Sequence, residues 1–323
     1  MTNKKIVFND YISQSPIEKE HIDLLKKYNI EYIGADCETE EDFLKYAKDA
    51  YIIFDQGHTN ITGRVIENLP KLKAILKRGV GYDSVDCETA ARLGICVSNT
   101  PGISTDEVST HAIALLLSFI RNIPMYHNLV KQGKWNKLGK EGYENMESLW
   151  GENVGIVGFG NIGKMVAEKL RPFRVYTHVY DPYTQIDENK YNVKKTCLDK
   201  ILRSCRYIIL VCQLTKETTN MLDEKQFKLM RKDAVIINVG RGKLINEKVL
   251  IKYIGDKKIA GASLDVFDEE PTPKDNLLLK YENVIVSPHN ASISPKSKEL
   301  SLKTSFDEII RIVTGQALKY KVN

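Results

Sequence analysis

The chain of 323 residues is 42% hydrophobic and 28% charged with a net charge of +5, and its lysines are interleaved with acidic residues, so no nucleic-acid surface is predicted. Its longest apolar run, Ala112–Ile120, is too short to cross a bilayer, and no signal-peptide core follows Met1. The six cysteines show neither a Cys-x-x-Cys pair nor metal-ligand spacing, so we expect a cytoplasmic protein with reduced thiols, no metal and no membrane partner.

Strand-like and helix-like segments alternate through roughly the first hundred residues, which predicts a parallel sheet covered by helices. The predicted strands are Lys5–Phe8, Glu31–Gly34, Tyr51–Phe54, Ala74–Leu76 and Ile95–Val97. The predicted helices are Pro16–Tyr28, Glu40–Ala50, Thr62–Asn68 and Cys87–Leu93. Asn99–Gly102 then interrupts the alternation as a linker, and a long amphipathic helix is predicted at Asp106–Asn122.

A glycine-rich turn in mid-chain is the strongest motif. A buried strand leads into Gly158-x-Gly160-x-x-Gly163, a helix is predicted at Lys164–Arg171, and the next strand ends at Asp181. Gly158 permits a tight turn, Gly160 lets a pyrophosphate approach the backbone, and Gly163 allows close packing of helix on strand. A carboxylate at Asp181 would meet a ribose 2′-hydroxyl, so the pattern predicts dinucleotide binding. The alternative is a glycine-rich turn in an ordinary βαβ unit, with Asp181 as a helix cap.

The alternation resumes after Asp181 and ends in a helix with no strand behind it. The predicted elements are helix Leu198–Ser204, strand Tyr207–Cys212, helix Asp223–Met230, strand Ala234–Val239, helix Glu247–Gly255, strands Ala260–Leu264 and Val284–Val286, and helix Pro295–Val313. We expect this last helix to pack on the first domain. The predicted fold is therefore α/β with two doubly wound parallel-sheet domains, residues 101–290 being a Rossmann NAD-binding domain inserted into a substrate-binding domain of residues 1–100 and 291–323.

Three ionisable residues each follow a predicted strand of the second domain. They are Arg241, Glu270 and His289. Individually they could be a surface arginine, part of a solvated acidic turn and a capped loop histidine. Together they suit hydride transfer to a 2-oxo acid, because an arginine can bind the carboxylate, a histidine can exchange the hydroxyl proton, and a carboxylate can orient the imidazole and favour its protonated form.

Several ordered motifs resemble those of the D-isomer-specific 2-hydroxyacid dehydrogenase family across nearly the whole chain. They are Arg78–Asp86, Asn99–Gly102, Val157–Gly163, Tyr180–Tyr183, Ile237–Gly242, Ala260–Phe267, Glu270–Pro271 and Ser287–His289. The resemblance implies a homodimer joined through the NAD-binding domain and catalytic roles for Arg241, Glu270 and His289. It implies that the substrate contacts Val80, Gly81, Arg241 and His289. The implied NAD contacts are Gly158, Gly160, Asn161, Ile162, Gly163, Asp181, Val239, Gly240, Arg241, Asp265, His289 and Ala291.

Departures from the family pattern bear on the substrate. Asp55–His58 lacks the basic residue that phosphoglycerate-specific members tend to carry, and Lys77 and Arg78 are nearby cations that could equally be surface charges. Features such as Gln56 resemble the subgroup that includes the C-terminal binding proteins, which bind NAD and act as corepressors. We predict an NAD-dependent oxidoreductase acting on a small D-2-hydroxy acid or 2-oxo acid. The alternatives are an NAD(H)-sensing, corepressor-like binding protein and a phosphite-type oxyanion dehydrogenase.

Overall fold

The computed structural model describes residues 5–11, 17–57, 59–135 and 146–323. The chain divides into two compact units, Met1–Ile103 with Ser294–Asn323, and Ser104–Ile293. The predicted fold class is confirmed, because each unit is built on a parallel sheet with helices and the second unit is inserted into the first.

The described part of the first unit forms a five-stranded sheet in the order β2-β1-β3-β4-β5, with every neighbouring pair parallel. The strands are β1 (Lys5–Asp10), β2 (Ile30–Ala35), β3 (Ile52–Asp55), β4 (Ala74–Lys77) and β5 (Cys96–Ser98). The helices of this unit are α1 (Lys19–Lys27), α2 (Glu40–Tyr46), α3 (Gly63–Glu67), α4 (Cys87–Arg92) and, from the end of the chain, α12 (Pro295–Thr314). The predicted return of the last helix is confirmed, since its Phe306 packs edge-on against Phe54 of β3.

The described part of the second unit forms a seven-stranded parallel sheet in the order β12-β11-β10-β9-β6-β7-β8. The strands are β6 (Asn153–Val157), β7 (Tyr176–Tyr180), β8 (Val193–Lys195), β9 (Tyr207–Leu210), β10 (Val235–Asn238), β11 (Gly261–Leu264) and β12 (Val284–Val286). The strand order reverses at β6, whose neighbours are β7 and β9. In sheets of this kind ligands bind outside the carboxyl ends of the strands at such a reversal.

Helices cover both faces of the second sheet, with a separate apolar cluster on each face. They are α5 (Thr105–Ile120), α6 (Ile123–Lys131), α7 (Asn161–Leu170), α8 (Glu188–Tyr191), α9 (Leu198–Ser204), α10 (Glu224–Phe227) and α11 (Glu247–Gly255). The central strands β6, β9, β10 and β11 are almost wholly buried, as expected for parallel strands that are covered on both faces.

The main difference from the predicted elements lies after α5. The sequence predicts a helix at Asp106–Asn122, and α5 ends two residues earlier, at Ile120. A second helix, α6, which was not predicted, begins at Ile123. Asn122 takes a left-handed conformation (φ +48°), which breaks the helix, and Pro124 in the first turn favours a new start. The predicted start of α1 at Pro16 lies outside the described residues.

Among the residues that the structure describes, no single helix has the length and apolar composition needed to span a membrane. Helices α5 and α6 meet those criteria only when taken together, and they are bent by 63° at the break between them.

Candidate active site

The glycine-rich turn has the geometry that its three glycines predict. Gly158 has a φ of +95°, and a Cβ there would lie 2.7 Å from the Cα of Cys212. A Cβ on Gly163 would lie 2.2 Å from the carbonyl oxygen of Gly158, so helix α7 can pack this closely on β6 only with glycine there. Gly160 is different, because a Cβ there would meet none of the described residues within 4 Å. The chain therefore packs tightly behind the turn and leaves open space at Gly160, where the backbone of a dinucleotide-binding turn meets its ligand.

Asp181 at the end of β7 is tied to this turn by hydrogen bonds. Its Oδ2 accepts one from the main-chain N–H of Phe159 at 2.7 Å, and its Oδ1 accepts two, from Tyr183 at 2.9 Å and Thr184 at 2.8 Å. Burial acts to raise the pKa of this carboxyl, but these hydrogen bonds outweigh it and lower the pKa. The side chain of Thr184 also hydrogen-bonds to this carboxyl and lowers its pKa.

Arg241, Glu270 and His289 follow β10, β11 and β12, which are three neighbouring strands of the sheet. The Nδ1 atom of His289 lies 2.5 Å from Oε2 of Glu270. The other oxygen of Glu270 accepts a hydrogen bond of 2.9 Å from the main-chain N–H of Phe267. Partial burial acts to raise the pKa of Glu270, but the bond to His289, the bond from Phe267 and the charges of His289 and Arg241 lower it. Glu270 is therefore an ionised partner for the imidazole.

The turn that carries Arg241 is fixed by Asn238, which is fully buried at the end of β10. The Asn238 side chain donates to the carbonyl oxygen of Arg241 at 2.8 Å and accepts from the N–H of Gly240 at 3.0 Å. The Arg241 guanidinium donates to the carbonyl oxygen of Gly240 at 2.9 Å. Sequence reasoning did not assign this role to Asn238, although an amide at the end of a wholly apolar strand was the available signal.

Gly242 brings the Arg241 turn against the turn that carries Glu270. A Cβ on Gly242 would lie 1.9 Å from both the carbonyl carbon and the carbonyl oxygen of Phe267, and 2.5 Å from the N–H nitrogen of Asp268. These distances leave no room for any side chain. The two turns therefore contact each other main chain to main chain, which fixes the spacing between the arginine and the glutamate.

Asp265 was predicted to contact the cofactor, but its carboxylate is 1% exposed and faces the loop of His289. It accepts hydrogen bonds from the N–H groups of Asn290 and Ala291. Val239 and Ala291 are also largely buried, whereas Asn161 and Ile162 lie in the first turn of α7 beside the open space at Gly160. The cofactor contacts of these residues stay predictions.

Val80 and Gly81 lie in the first unit, in the turn after β4. Gly79 takes a φ of +120° and its N–H donates to the hydroxyl of Thr100 at 2.8 Å. The side-chain amide of Asn99 donates to the carbonyl oxygen of Val80 at 2.7 Å. Asn99 and Thr100 are buried, so the Asn-Thr-Pro-Gly motif supports this turn. Binding of a substrate carboxylate by Val80 and Gly81 stays a prediction.

Lys77 and Arg78, the two cations considered as phosphate contacts, already have partners in the same unit. The Lys77 ammonium lies 2.8 Å from a carboxylate oxygen of fully buried Asp55. Arg78 donates to the hydroxyl of Ser301 at 2.9 Å and to the side chain of Gln56, and burial lowers the pKa of its guanidinium. His58 of the same loop lies outside the described residues.

Comparison with known proteins identifies the family. Residues 113–291 match the NAD-binding domain of the D-isomer-specific 2-hydroxyacid dehydrogenases. The chain is 34% identical over 311 residues to a D-3-phosphoglycerate dehydrogenase from Methanocaldococcus jannaschii, covering 95% of this chain and 58% of that protein. A glyoxylate reductase from Pyrococcus furiosus is 34% identical over 291 residues, covering 88% and 85% of the two chains. The chain belongs to the D-isomer-specific 2-hydroxyacid dehydrogenase family.

A solved structure agrees with this assignment. A formate dehydrogenase from Staphylococcus aureus in complex with NAD superimposes with a TM-score of 0.87 at 27% identity, over 99% of each chain. The predicted family, the oxidoreductase class and a cofactor of the NAD(P) type are confirmed. The finer assignment to the subgroup of the C-terminal binding proteins stays a prediction, and this chain spans only 58% of the length of the phosphoglycerate dehydrogenase.

Proposed function

We propose that this family member is an NAD-dependent oxidoreductase that interconverts a small 2-oxo acid and its D-2-hydroxy acid. The observation that carries the proposal is the 2.5 Å contact between His289 and Glu270 at the ends of neighbouring strands. Contact between the turns of Gly242 and Phe267 keeps the strand end that carries Arg241 beside it. A base, its carboxylate partner and an anion-binding cation are the groups that this reaction needs.

The arrangement suggests a role for each side chain. Because Nδ1 of His289 faces Glu270, Nε2 is the ring nitrogen that exchanges a proton with the substrate oxygen. The ionised Glu270 contacts Nδ1 and fixes the orientation of the ring. Arg241 binds the substrate carboxylate through its planar guanidinium. NADH, when bound at the glycine-rich turn, supplies the hydride.

We propose a substrate without phosphate. Lys77 forms an ion pair with buried Asp55, and Arg78 donates hydrogen bonds to Gln56 and Ser301. Both cations therefore already have partners within the protein, which argues against their binding a phosphate. Glyoxylate is the first candidate, since the Pyrococcus furiosus relative is a glyoxylate reductase and the match extends over most of both chains. Main-chain N–H groups at Val80 and Gly81 are the proposed second contact for the carboxylate.

We propose NAD rather than NADP as the preferred cofactor. The pKa of Asp181 is lowered by three main-chain hydrogen bonds, so the side chain stays ionised and would repel a 2′-phosphate. A carboxylate accepts a hydrogen bond from a free ribose 2′-hydroxyl instead. One unfavourable charged contact costs about 1.5–3 kcal/mol, or roughly tenfold to a hundredfold in efficiency.

A panel of acids with purified protein tests the proposal. Glyoxylate, hydroxypyruvate, its phosphorylated form and larger 2-oxo acids are offered with NADH or NADPH, and nucleotide oxidation is followed by absorbance. We expect reduction of at least one unphosphorylated 2-oxo acid, with NADH preferred. Tight binding of NADH with no reduction of any acid would favour the corepressor-like alternative.

A second candidate function is oxidation of a small anion, which the likeness to the Staphylococcus aureus formate dehydrogenase favours. Formate and phosphite with NAD are therefore included in the panel. Oxidation of either anion faster than of any 2-hydroxy acid would replace the main proposal with this one.

We propose a homodimer formed through the second unit, located in the cytoplasm. Helix α6 has no buried residue, and its exposed Ile123 and Val130 are seven positions apart and therefore lie on one face of the helix. Apolar side chains displayed together in this way are typical of a protein–protein contact. Light scattering is expected to give twice the mass of one chain for the native protein and the mass of one chain for Val130→Glu.

A further inference from the structure

The buried carboxylate of Asp265 holds the loop that carries His289. Its Oδ1 accepts from the N–H of Asn290 at 3.0 Å, and its Oδ2 accepts from the N–H of Ala291 at 2.9 Å. The main-chain oxygen of Asp265 accepts from the N–H of His289 at 2.7 Å. A buried carboxylate is unfavourable unless it is hydrogen-bonded, so these contacts are mutually stabilising. They fix the main chain at His289 and on its carboxyl side.

His289 needs this support because its backbone is strained. Its φ of +49° lies in the left-handed region, which residues other than glycine rarely occupy. Such a conformation persists only where the surroundings enforce it. If the loop relaxed, the imidazole would move away from Glu270.

A hydrogen-bonded chain extends from Asp265 to helix α5. The hydroxyl of Ser287 lies 2.6 Å from Oδ1 of Asp265, and since a carboxylate only accepts, Ser287 donates its proton there. Nε2 of His111 lies 2.9 Å from the same hydroxyl oxygen. Nε2 must therefore carry the proton and donate to Ser287. It also lies 3.5 Å from Oδ1 of Asp265, and the His111 side chain is only 25% exposed.

We propose that His111 is a positioning residue for His289. Through Ser287 and Asp265 it anchors the strained loop to helix α5, the long helix packed on the sheet. His111 and Ser287 are 176 positions apart in the chain, which is why no local motif reveals the connection. The kinetic part of this inference, an effect of His111 on catalysis, rests on the proposed function. The structural part, the anchoring of the His289 loop, does not.

Three variants test the kinetic part. His111→Phe keeps a planar ring without the donor, His111→Gln keeps an N–H donor, and Ala114→Gln changes an exposed position on the same helix as a control. We expect His111→Phe to lower kcat/KM for glyoxylate by roughly tenfold to a hundredfold, as supporting contacts of reactive groups typically do, with the Kd of NADH unchanged. His111→Gln should restore most of the loss. If His111 only stabilised the fold, His111→Phe would lower Tm without a selective loss of kcat/KM at an unchanged Kd of NADH.

Hydrogen exchange tests the structural part without any activity. The amides of Asn290 and Ala291 should exchange faster in His111→Phe and in Ser287→Ala than in the native protein. The Ala114→Gln control should match the native protein.

Each remaining outcome is decisive. Native kcat/KM together with native exchange in His111→Phe would overturn the proposal. If that variant does not fold, Ser287→Ala, which removes a single oxygen, decides on both measurements. If the native protein reduces no 2-oxo acid, the proposed function fails, and amide exchange alone decides whether His111 holds the loop.

Discussion

Oε2 of Glu270 lies 2.5 Å from Nδ1 of His289, although the two residues follow different strands of the sheet. The contact determines which nitrogen of the imidazole remains for the substrate. It also places a negative charge against a ring that must be protonated for reduction and neutral for oxidation.

Replacing Glu270 with Gln should slow the reaction without disturbing the cofactor site. The pKa of Glu270 is lowered, so the native side chain is charged throughout the neutral range. Gln keeps nearly the same shape but loses the carboxylate that holds Nδ1 of His289, so kcat/KM for reduction should fall by roughly tenfold to a hundredfold while the Kd of NADH changes little. Glu269→Gln, at the exposed neighbouring position, should keep the native kcat/KM. A native kcat/KM in Glu270→Gln would show that the contact with His289 does not support the reaction.

Arg241→Lys should be damaging although the charge is kept. A compact ammonium cannot form the two parallel hydrogen bonds of a guanidinium to a carboxylate. We expect kcat/KM for the 2-oxo acid to fall by about tenfold or more, while the Kd of NADH, measured by fluorescence titration, changes little. Lys243→Ala, which removes an exposed charge nearby, is the control. Near-native efficiency of the lysine variant would make Arg241 an ordinary surface arginine.

Two glycines of the same turn should respond differently to alanine. Gly163→Ala would place a Cβ 2.2 Å from a carbonyl oxygen, so Tm should fall by several degrees. The new Cβ in Gly160→Ala meets nothing within 4 Å among the residues that the structure describes, so this variant should keep the native Tm. Because the space at Gly160 is proposed for the pyrophosphate, this variant should nevertheless bind NADH about tenfold more weakly. Unchanged NADH affinity in Gly160→Ala would contradict the position of the cofactor.

Asp10 in the first unit should make stability depend on pH. This carboxyl is fully buried, and burial together with the charge of Asp55 raises its pKa to about 7. The folded state therefore binds the proton more tightly than the unfolded state, so stability is greatest at low pH and declines between about pH 4 and pH 7. Asp10→Asn should remove this decline and be more stable at pH 8, by at most on the order of 4 kcal/mol.

Denaturant unfolding at pH 5 and pH 8 measures the effect of Asp10→Asn. Asp23→Asn, at an exposed site, should keep the native pH dependence. A native dependence in Asp10→Asn would assign the decline to other groups.

Local sequence patterns were sufficient for much of the fold and for the placement of the reactive residues. The glycine-rich turn and the strands before Arg241 and His289 are short, strongly apolar or glycine-defined segments, whose structure depends on neighbouring residues. Helix α6 was not predicted, because its separate start depends on one left-handed residue, Asn122, at which α5 has ended and the chain bends.

Local sequence patterns could not predict contacts between residues that are far apart in the chain. The orientation of the Asp265 carboxylate toward the His289 loop, and its link to His111, depend on how helix α5 packs on the sheet. The ion pair of Lys77 with Asp55 likewise depends on the register of β3 and β4, which places the two residues opposite each other. Residue type and spacing identified the candidates, but only the packing determined what each side chain contacts.

The most direct test of the central claim is the reduction of glyoxylate by NADH, compared between the native protein and His289→Ala over a range of pH. We expect reduction by the native protein that falls as pH rises. We expect a loss on the order of a hundredfold to ten-thousandfold in the variant at every pH, with NADH still bound. Equal rates for the two proteins would contradict the assignment of His289 as the proton donor, as would a native protein that binds NADH but reduces no 2-oxo acid.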